Sequence, residues 1–264
     1  MRTALTIAGS DSSGGAGIQA DLKTFAAHGV YGMSAITAIT AQNTQGVTDV
    51  AALSPAMVRA QIAAVVSDIP PDATKIGMLA QVDIIAAVVE SLREFRLPHV
   101  VLDTVMIAKS RAPLLAAEAV GALRDQLLPM ADVITPNVPE AEALTGLTIA
   151  SVDDLKTAAK RLVEMGARAA LVKGGHLVGP AVDVLWDGRQ LVELTADRID
   201  SRHTHGTGCT LSSAIAARLA LGASLADACR AAKAYVTRAI QQAPGLGHGH
   251  GPLQHFPKSL TMKQ

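Results

Sequence analysis

Short apolar runs alternate with longer amphipathic stretches along almost the whole chain. The apolar runs predict strands at 3–8, 34–40, 75–77, 100–102, 133–135 and 169–173. The amphipathic stretches predict helices at 18–28, 56–67, 82–95, 114–127, 139–144 and 152–165. Near-continuous apolar strands between helices are typical of a parallel sheet covered on both faces. The pattern therefore predicts an α/β fold with helices on either side of a mostly parallel sheet.

The last third of the chain has a different pattern. Apolar runs at 182–186 and 191–194 flank Asp187 and Gly188, which predicts a β-hairpin. Two alanine-rich helices are predicted at 207–221 and 225–242, and the Gly-, Pro- and His-rich tail at 244–257 predicts a loop. Neither an internal repeat nor a linker divides the chain, so residues 1–264 are expected to form a single domain.

Composition and charge narrow the classes of function. The 264 residues contain 23 Lys and Arg against 23 Asp and Glu, and aromatic residues make up only 2%. A balanced charge without a basic run disfavours a nucleic-acid or membrane-surface partner. No apolar segment approaches the roughly 20 residues of a membrane span. Cys209 and Cys229, both in predicted helices, suggest two free thiols in a reducing compartment, so we expect a cytoplasmic protein.

A glycine-rich segment at 9–17 lies between the first strand and the first helix. It allows a ligand to approach the backbone closely, although a tight turn that merely needs glycine is the simpler interpretation. Residues 15–20 also fit the dinucleotide fingerprint, but residues 40–44 offer no carboxylate for a ribose. Because a Walker A motif is also absent from the sequence, a nucleotide site would have to be built in another way.

A second glycine-containing turn directly precedes the first alanine-rich helix. Gly206, Thr207, Gly208 and Cys209 are placed to direct successive backbone N–H groups at one point, which predicts an anion hole. The positive end of the helix dipole suits a phosphoryl group there and is expected to lower the pKa of Cys209. A plain glycine N-cap remains an alternative, and so does a hydrolase that uses Cys209 with His205.

Oxygen-bearing side chains follow several strands of the predicted sheet. Asn137 and Glu140 share a helical face and could reach a hydrated Mg²⁺, but their spacing also fits a capping box. Asp103 ends another strand, at the edge where ligands of open α/β sheets gather. Lys173 precedes two glycines and could meet a phosphate or lie in a solvated turn.

Taken together, these motifs resemble one family over nearly the whole chain. The segments 8–24, 37–44, 75–79, 103–106, 135–140, 173–176, 205–210 and 247–256 resemble, in the same order, those of the hydroxymethylpyrimidine/phosphomethylpyrimidine kinases of thiamine biosynthesis. The resemblance implies a three-layer ribokinase-like fold, with a central, mostly parallel sheet flanked by helices and a small β-flap. It implies two ATP-dependent steps at one site, in which 4-amino-5-hydroxymethyl-2-methylpyrimidine becomes the monophosphate and then the diphosphate. It also suggests a homodimer.

The same resemblance implies roles for individual residues. Gln42 would hydrogen-bond the aminopyrimidine edge, and the other residues facing the ring would be Asp21, Gly9, Met78 and Val105. Gly206 to Cys209 would surround the γ-phosphoryl group, with Cys209 as the base of the first step. The ATP contacts would be Lys173, Asn137 and Thr207, and Mg²⁺ would be held, largely through water, by Asp103 and Glu140.

One departure and three alternatives remain open at this point. Arg111 stands where the family commonly has glycine, within a segment at 106–113 that resembles a mobile lid. A pyridoxal or pyridoxine kinase on the same fold is the nearest alternative function. A Rossmann-type oxidoreductase and a noncatalytic nucleotide-binding regulator are two more distant ones, disfavoured by the missing ribose carboxylate and by the intact site residues respectively.

Overall fold

The computed structural model describes residues 1–106 and 117–258. Its strands within those ranges are β1 (Thr3–Asp11), β2 (Tyr31–Asn43), β3 (Gly46–Ala52), β4 (Ala73–Ile76), β5 (Val100–Leu102), β6 (Val133–Ile134), β7 (Ala170–Lys173), β8 (Ala181–Trp186) and β9 (Leu191–Ala196). Its helices are α1 (Gly17–Ala27), α2 (Pro55–Val66), α3 (Val82–Phe95), α4 (Ala117–Ala122), α5 (Val138–Thr145), α6 (Val152–Glu164), α7 (Thr207–Ala220) and α8 (Leu225–Gln241). None of these helices is long and apolar enough to cross a membrane.

The strands form one sheet in the order β3-β2-β1-β4-β5-β6-β7-β8-β9. Neighbouring strands from β2 to β7 pair in parallel, whereas β3, β8 and β9 each pair antiparallel to the preceding strand. The parallel strands direct their carboxyl ends to one edge of the sheet, where ligands bind in folds of this kind.

Apolar side chains leave the sheet on both faces. In β5, Val100 and Leu102 pack into the cluster beneath α2 to α6, and Val101 packs into the cluster beneath α1, α7 and α8. Because successive side chains of a strand point to opposite faces, an uninterrupted apolar strand can fill both clusters. The predicted three-layer arrangement is confirmed.

Most predicted elements are confirmed, including the hairpin formed by β8 and β9. The sequence pattern missed β3 and ended β2 three residues early. Nearly every side chain of β3 is exposed and Asp49 lies in its middle, so no buried face marks it as a strand. This antiparallel hairpin at the sheet edge is the expected small flap. The predicted helix at 114–127 lies partly outside the described residues, and the remainder is α4 followed by a wider turn at Leu123–Leu127.

Candidate active site

The carboxyl edge of the sheet brings the predicted phosphate-binding residues together. Asp103 follows β5, Lys173 ends β7, and the amino end of α7 approaches both. A Cβ atom added to Gly208 would lie 3.3 Å from Lys173 Nζ and 3.5 Å from Asp103 Oδ2. The lysine and the carboxylate therefore lie beside the first turn of α7.

The turn before α7 is built around Gly206. This residue has a φ of 80°, and a Cβ there would collide with the carbonyl oxygen of Gly15 in the first glycine-rich loop. The two loops are thus in backbone contact. Gly206 is the N-cap of α7, and among the described residues the N–H groups of Gly208 and Cys209 have no hydrogen-bond acceptor. The glycine N-cap is therefore confirmed, and it leaves two N–H groups available to an anion.

The thiol of Cys209 differs from its expected state. Burial, with Asp21 and Asp103 adding to it, outweighs the nearby Lys75 and raises the pKa of Cys209 to about 12. The predicted lowering of this pKa is wrong, because the surrounding carboxylates and the loss of solvent oppose the thiolate. Within residues 1–106 and 117–258 no hydrogen bond joins Cys209 to His205, whose Nε2 atom lies 2.8 Å from Asp11 Oδ2, so a Cys–His hydrolase is not supported.

A buried ion pair, which the sequence analysis did not assign, lies beneath Cys209. Lys75 is fully buried, and its Nζ lies 2.9 Å from Asp21 Oδ2. Asp21 also accepts hydrogen bonds from the hydroxyls of Thr6 at 2.7 Å and Ser213 at 2.6 Å. Burial by itself lowers the pKa of Lys75, but Asp21, Cys209 and Asp103 outweigh it and raise that pKa, so the lysine stays charged.

These contacts revise the role expected for Asp21. Both of its oxygens are occupied by protein donors, and its side chain has no exposed surface. These contacts engage the carboxylate of Asp21 within the protein and do not support the ring contact expected for it. The sequence signal for this pair is a lysine, the one charged residue of the short strand β4, where a charged residue needs a buried partner.

The acidic part of the site consists of two carboxylates near one lysine: Asp103, Glu140 and Lys173. Lys173 Nζ lies 3.3 Å from Asp103 Oδ1. Burial by itself lowers the pKa of Lys173, but Asp103 and Glu140 outweigh it and raise that pKa. Burial and the nearby Asp103 raise the pKa of Glu140, against the effect of Lys173. The Lys173 ammonium thus pairs with Asp103, and Asp103 in turn disfavours the charge of Glu140.

The capping interpretation of Asn137 and Glu140 is confirmed. Asn137 Oδ1 accepts the N–H of Glu140 at 3.0 Å, and Glu140 Oε2 accepts the N–H of Asn137 at 2.9 Å. The same Oε2 accepts the Thr104 hydroxyl at 2.9 Å. These bonds use the amide oxygen of Asn137 and one carboxylate oxygen of Glu140, so a further ligand would meet the other oxygen, Oε1.

The predicted ring-binding residues lie around the ends of β1, β2 and β4. A Cβ on Gly9 would lie 3.0 Å from Met78 Sδ, so the absence of a side chain brings this backbone against the methionine. Val105 is partly exposed, two residues after Asp103. The amide of Gln42, also partly exposed, lies 3.0 Å from Thr40 Oγ1 and 3.4 Å from His205 Nε2.

Asp11 is a second residue that the sequence analysis did not assign. Its carboxylate accepts hydrogen bonds from the backbone of Ser13, Gly15 and Ala16 and also contacts His205. Burial by itself raises the pKa of Asp11, but the bonds from His205, Ser13 and Ala16 outweigh it and lower that pKa. The carboxylate thus fixes the shape of the first glycine loop and connects it to the second. Residues 107–113, which include Arg111 and the expected lid, lie outside the described residues.

The chain resembles known proteins over nearly its whole length. The sequence profile of the family described as phosphomethylpyrimidine kinase matches residues 11–254. The chain is 51% identical over 255 residues to the hydroxymethylpyrimidine/phosphomethylpyrimidine kinase of Bacillus subtilis, covering 96% of this chain and 94% of that protein.

Solved structures show the same fold. A phosphomethylpyrimidine kinase from Clostridium difficile is 49% identical, with a TM-score of 0.82 over 91% of this chain and 100% of that one. An ADP complex of a Bacillus subtilis pyridoxal kinase is 44% identical, with a TM-score of 0.90 over 97% of this chain and 98% of that one. The ribokinase-like fold expected from the sequence is confirmed, and the chain belongs to the phosphomethylpyrimidine kinase family.

Proposed function

We propose that the protein is an ATP-dependent kinase that phosphorylates 4-amino-5-hydroxymethyl-2-methylpyrimidine to its monophosphate and then to the diphosphate, for thiamine diphosphate biosynthesis. The observation that carries this proposal is the meeting of Lys173, Asp103 and the open N–H groups of α7 at one point. Phosphoryl transfer depends mainly on positioning and on neutralising charge, and these groups supply both. One sheet with helices on both faces supports a single kinase domain over the whole chain.

We assign the residues at this edge of the sheet the following roles. The N–H groups of the turn at Gly206, Thr207, Gly208 and Cys209 would hold the oxygens of the transferring phosphoryl group. Lys173 would contact the ATP phosphates and neutralise part of their negative charge during the transfer. Asn137 and Thr207, at the same edge of the sheet, would also contact the nucleotide.

Gln42, Gly9, Met78 and Val105 would surround the pyrimidine ring. An amide offers one donor and one acceptor to the edge of an aminopyrimidine, and Met78 offers an apolar surface. Asp21 would act through Lys75, which places a positive charge beneath Cys209.

The acidic residues fit a magnesium ion that arrives with the nucleotide. Among residues 1–106 and 117–258, no group of three metal-binding side chains forms a protein cage. Mg²⁺ usually keeps several waters and binds one or two carboxylates together with substrate phosphates. Asp103 and Glu140 would hold it in that way, and the ion would neutralise phosphate charge.

The state of Cys209 changes its proposed part in the reaction. A thiol with a pKa of about 12 is protonated near neutral pH, so it is a poor base. We therefore propose two roles for Cys209: its backbone N–H binds the transferring phosphoryl group, and its side chain orients the acceptor hydroxyl. With Cys209→Ala, both phosphorylation steps should lose less than about tenfold in kcat/KM, whereas loss of a general base would cost the first step about a hundredfold or more. A selective collapse of the first step would restore the base role.

The decisive experiment is incubation of the purified protein with Mg·ATP and the hydroxymethylpyrimidine, with mono- and diphosphate resolved by chromatography. Sequential appearance of both products is expected. Monophosphate alone would reduce the proposal to a single-step kinase. Pyridoxal is the second alcohol to assay, because the pyridoxal kinase of Bacillus subtilis has the same fold. Turnover of pyridoxal without turnover of the pyrimidine would replace the substrate and keep the phosphoryl-transfer site.

We further propose a homodimer in the cytoplasm. The edge strand β3 is almost fully exposed, and Val50 on it and Ile39 on β2 are 41% and 50% exposed. An exposed edge with apolar side chains is a ready surface for pairing with a second copy. Val50→Lys should convert a dimer seen by light scattering into a monomer. Cytoplasmic location is supported by the need for ATP and by the free thiols of Cys209 and Cys229.

A further inference from the structure

The ring of His205 is enclosed between the two glycine loops and Gln42. The side chain is 7% exposed, and its backbone N–H donates to the Gly251 carbonyl at 3.1 Å. A Cβ on Gly15 would lie 2.5 Å from His205 Cδ2, so the glycine leaves room for the ring. His205 directly precedes the anion-hole turn, and its Nε2 lies 2.8 Å from Asp11 Oδ2 and 3.4 Å from Gln42 Nε2.

Asp11 decides which hydrogen-bonding group His205 presents. Its carboxylate already accepts the N–H groups of Ser13, Gly15 and Ala16, and these bonds favour its ionised form. An ionised carboxylate only accepts hydrogen bonds, so Nε2 of His205 must carry a hydrogen and direct it to Asp11. That nitrogen then has no lone pair for a second donor.

The amide of Gln42 has two orientations of nearly equal shape, related by a half-turn about its last torsion. In the orientation seen in the structure, its NH₂ faces His205 Nε2 and its oxygen faces Thr40 Oγ1 at 3.0 Å. The single hydroxyl hydrogen of Thr40 also has the Ser10 carbonyl oxygen at 2.9 Å. When it goes to Ser10, the oxygen of Thr40 can accept the amide NH₂, and the amide oxygen can face the N–H of His205. The turned orientation therefore removes the opposition of two N–H groups, and the amide oxygen becomes a second, more distant acceptor for the Nε2 hydrogen that goes mainly to Asp11.

We propose that the Asp11–His205 pair sets the orientation of the Gln42 amide, with its carbonyl toward His205, and thereby selects how an aminopyrimidine alcohol lies in the site. The inference rests on the proposed function, in which Gln42 reads the ring. The amide oxygen would then accept the exocyclic amino group on the His205 side. The hydroxymethyl group is attached next to that amino group, so it would lie toward the anion-hole turn that follows His205. The opposite orientation would direct it away.

The test compares His205→Phe, which keeps an aromatic ring without the donor, with His205→Gln, which keeps an N–H donor near the position of Nε2. For His205→Phe, kcat/KM for the aminopyrimidine alcohol should fall about tenfold, the effect of one mismatched hydrogen bond. The kcat/KM for pyridoxine, which lacks the amino group, should change less than about threefold, and so should the KM for ATP. His205→Gln should recover most of the loss. His28→Phe, at the C-cap of α1 and bonded through its ring to the Thr24 carbonyl, is the matched control.

Four outcomes would overturn the inference. Equal losses for both alcohols would make His205 a packing residue, and failure of His205→Gln to recover activity would remove the hydrogen bond as the cause. If His205→Phe does not fold, Thr40→Val removes the partner on the other side of the amide, and unchanged selectivity there would be equally decisive. A wild-type protein that does not phosphorylate the aminopyrimidine alcohol would refute the proposed function itself, whereas an active wild type with unchanged variants would refute only this inference.

Discussion

The buried pair of Lys75 and Asp21 gives the sharpest prediction for stability. Both side chains have no exposed surface, and the charged atoms lie 2.9 Å apart. Lys75→Met removes one charge and leaves Asp21 with only the hydroxyl donors of Thr6 and Ser213. Breaking a buried pair by removing one partner costs about 3–5 kcal/mol, because the other charge remains away from water. For a chain of this length, such a loss lowers the melting temperature by roughly 6 to 20 °C.

The measurement is urea unfolding followed by circular dichroism, with the free energy of unfolding extrapolated to water. Arg2→Met is the matched control, since the Arg2–Asp72 pair has a similar separation of 2.7 Å but an arginine that is 60% exposed. Arg2→Met should lower the free energy of unfolding by less than about 1 kcal/mol. The double variant Lys75→Met with Asp21→Asn should recover about 1–3 kcal/mol relative to the sum of the two single variants.

Two results would refute the reasoning about this pair. Lys75→Met could cost no more than Arg2→Met, which would mean that burial does not strengthen the interaction. Alternatively, the single variants could add without coupling, which would mean that Lys75 and Asp21 act independently. Catalysis provides a separate readout, because loss of the charge beneath Cys209 should also lower kcat in the folded variant.

Three further predictions concern the site and its surroundings. Gly206→Ala should lower kcat/KM for ATP by at least about a hundredfold in a coupled ADP assay, because the added methyl group would collide with the Gly15 carbonyl and distort the turn. Near-normal activity would contradict this geometry. Removing Mg²⁺ with a chelator should weaken ATP binding in calorimetry, and Asp103→Asn should reduce that dependence, unless the carboxylate has no part in holding the ion. Burial lowers the pKa of His255 to about 4 in the folded chain, from an ordinary value near 6.5. The free energy of unfolding should therefore be unaffected by this group above pH 6.5 and should fall by about 3 kcal/mol as the pH falls to 4. In His255→Gln, the free energy of unfolding measured in urea should vary less over that pH range.

The sequence predicted the layers of the fold because its strongest signal is the apolar strand. In β5, every residue is buried on one face or the other, and such a run can hardly be anything but an interior strand. The edge strand β3 gives no such signal, since its side chains face solvent and its existence depends on pairing with β2. Hydrophobic periodicity reports burial, and an exposed strand at a sheet edge therefore escapes it.

The candidate site was predictable where chemistry is local in sequence and unpredictable where it depends on distant partners. The turn from Gly206 to Cys209 could be assigned from four consecutive residues, because a helix start and its glycines are read together. The pKa of Cys209 could not, since it depends on Asp21 and Asp103, which enter from other strands and helices. Asp21 shows the same limit, because its contact with Lys75 joins residues 54 positions apart.

The two glycine loops explain why buried charge is concentrated at this edge of the sheet. A glycine backbone holds no shape by itself, because it has few steric restraints and costs more entropy to order than other residues. Asp11 compensates in the first loop by accepting three backbone N–H groups, and its contact with His205 transfers that order to the turn at Gly206. The site thus obtains close backbone approach from glycine and fixed geometry from a carboxylate. Either property alone would leave an anion hole that is too crowded or too mobile to direct phosphoryl transfer.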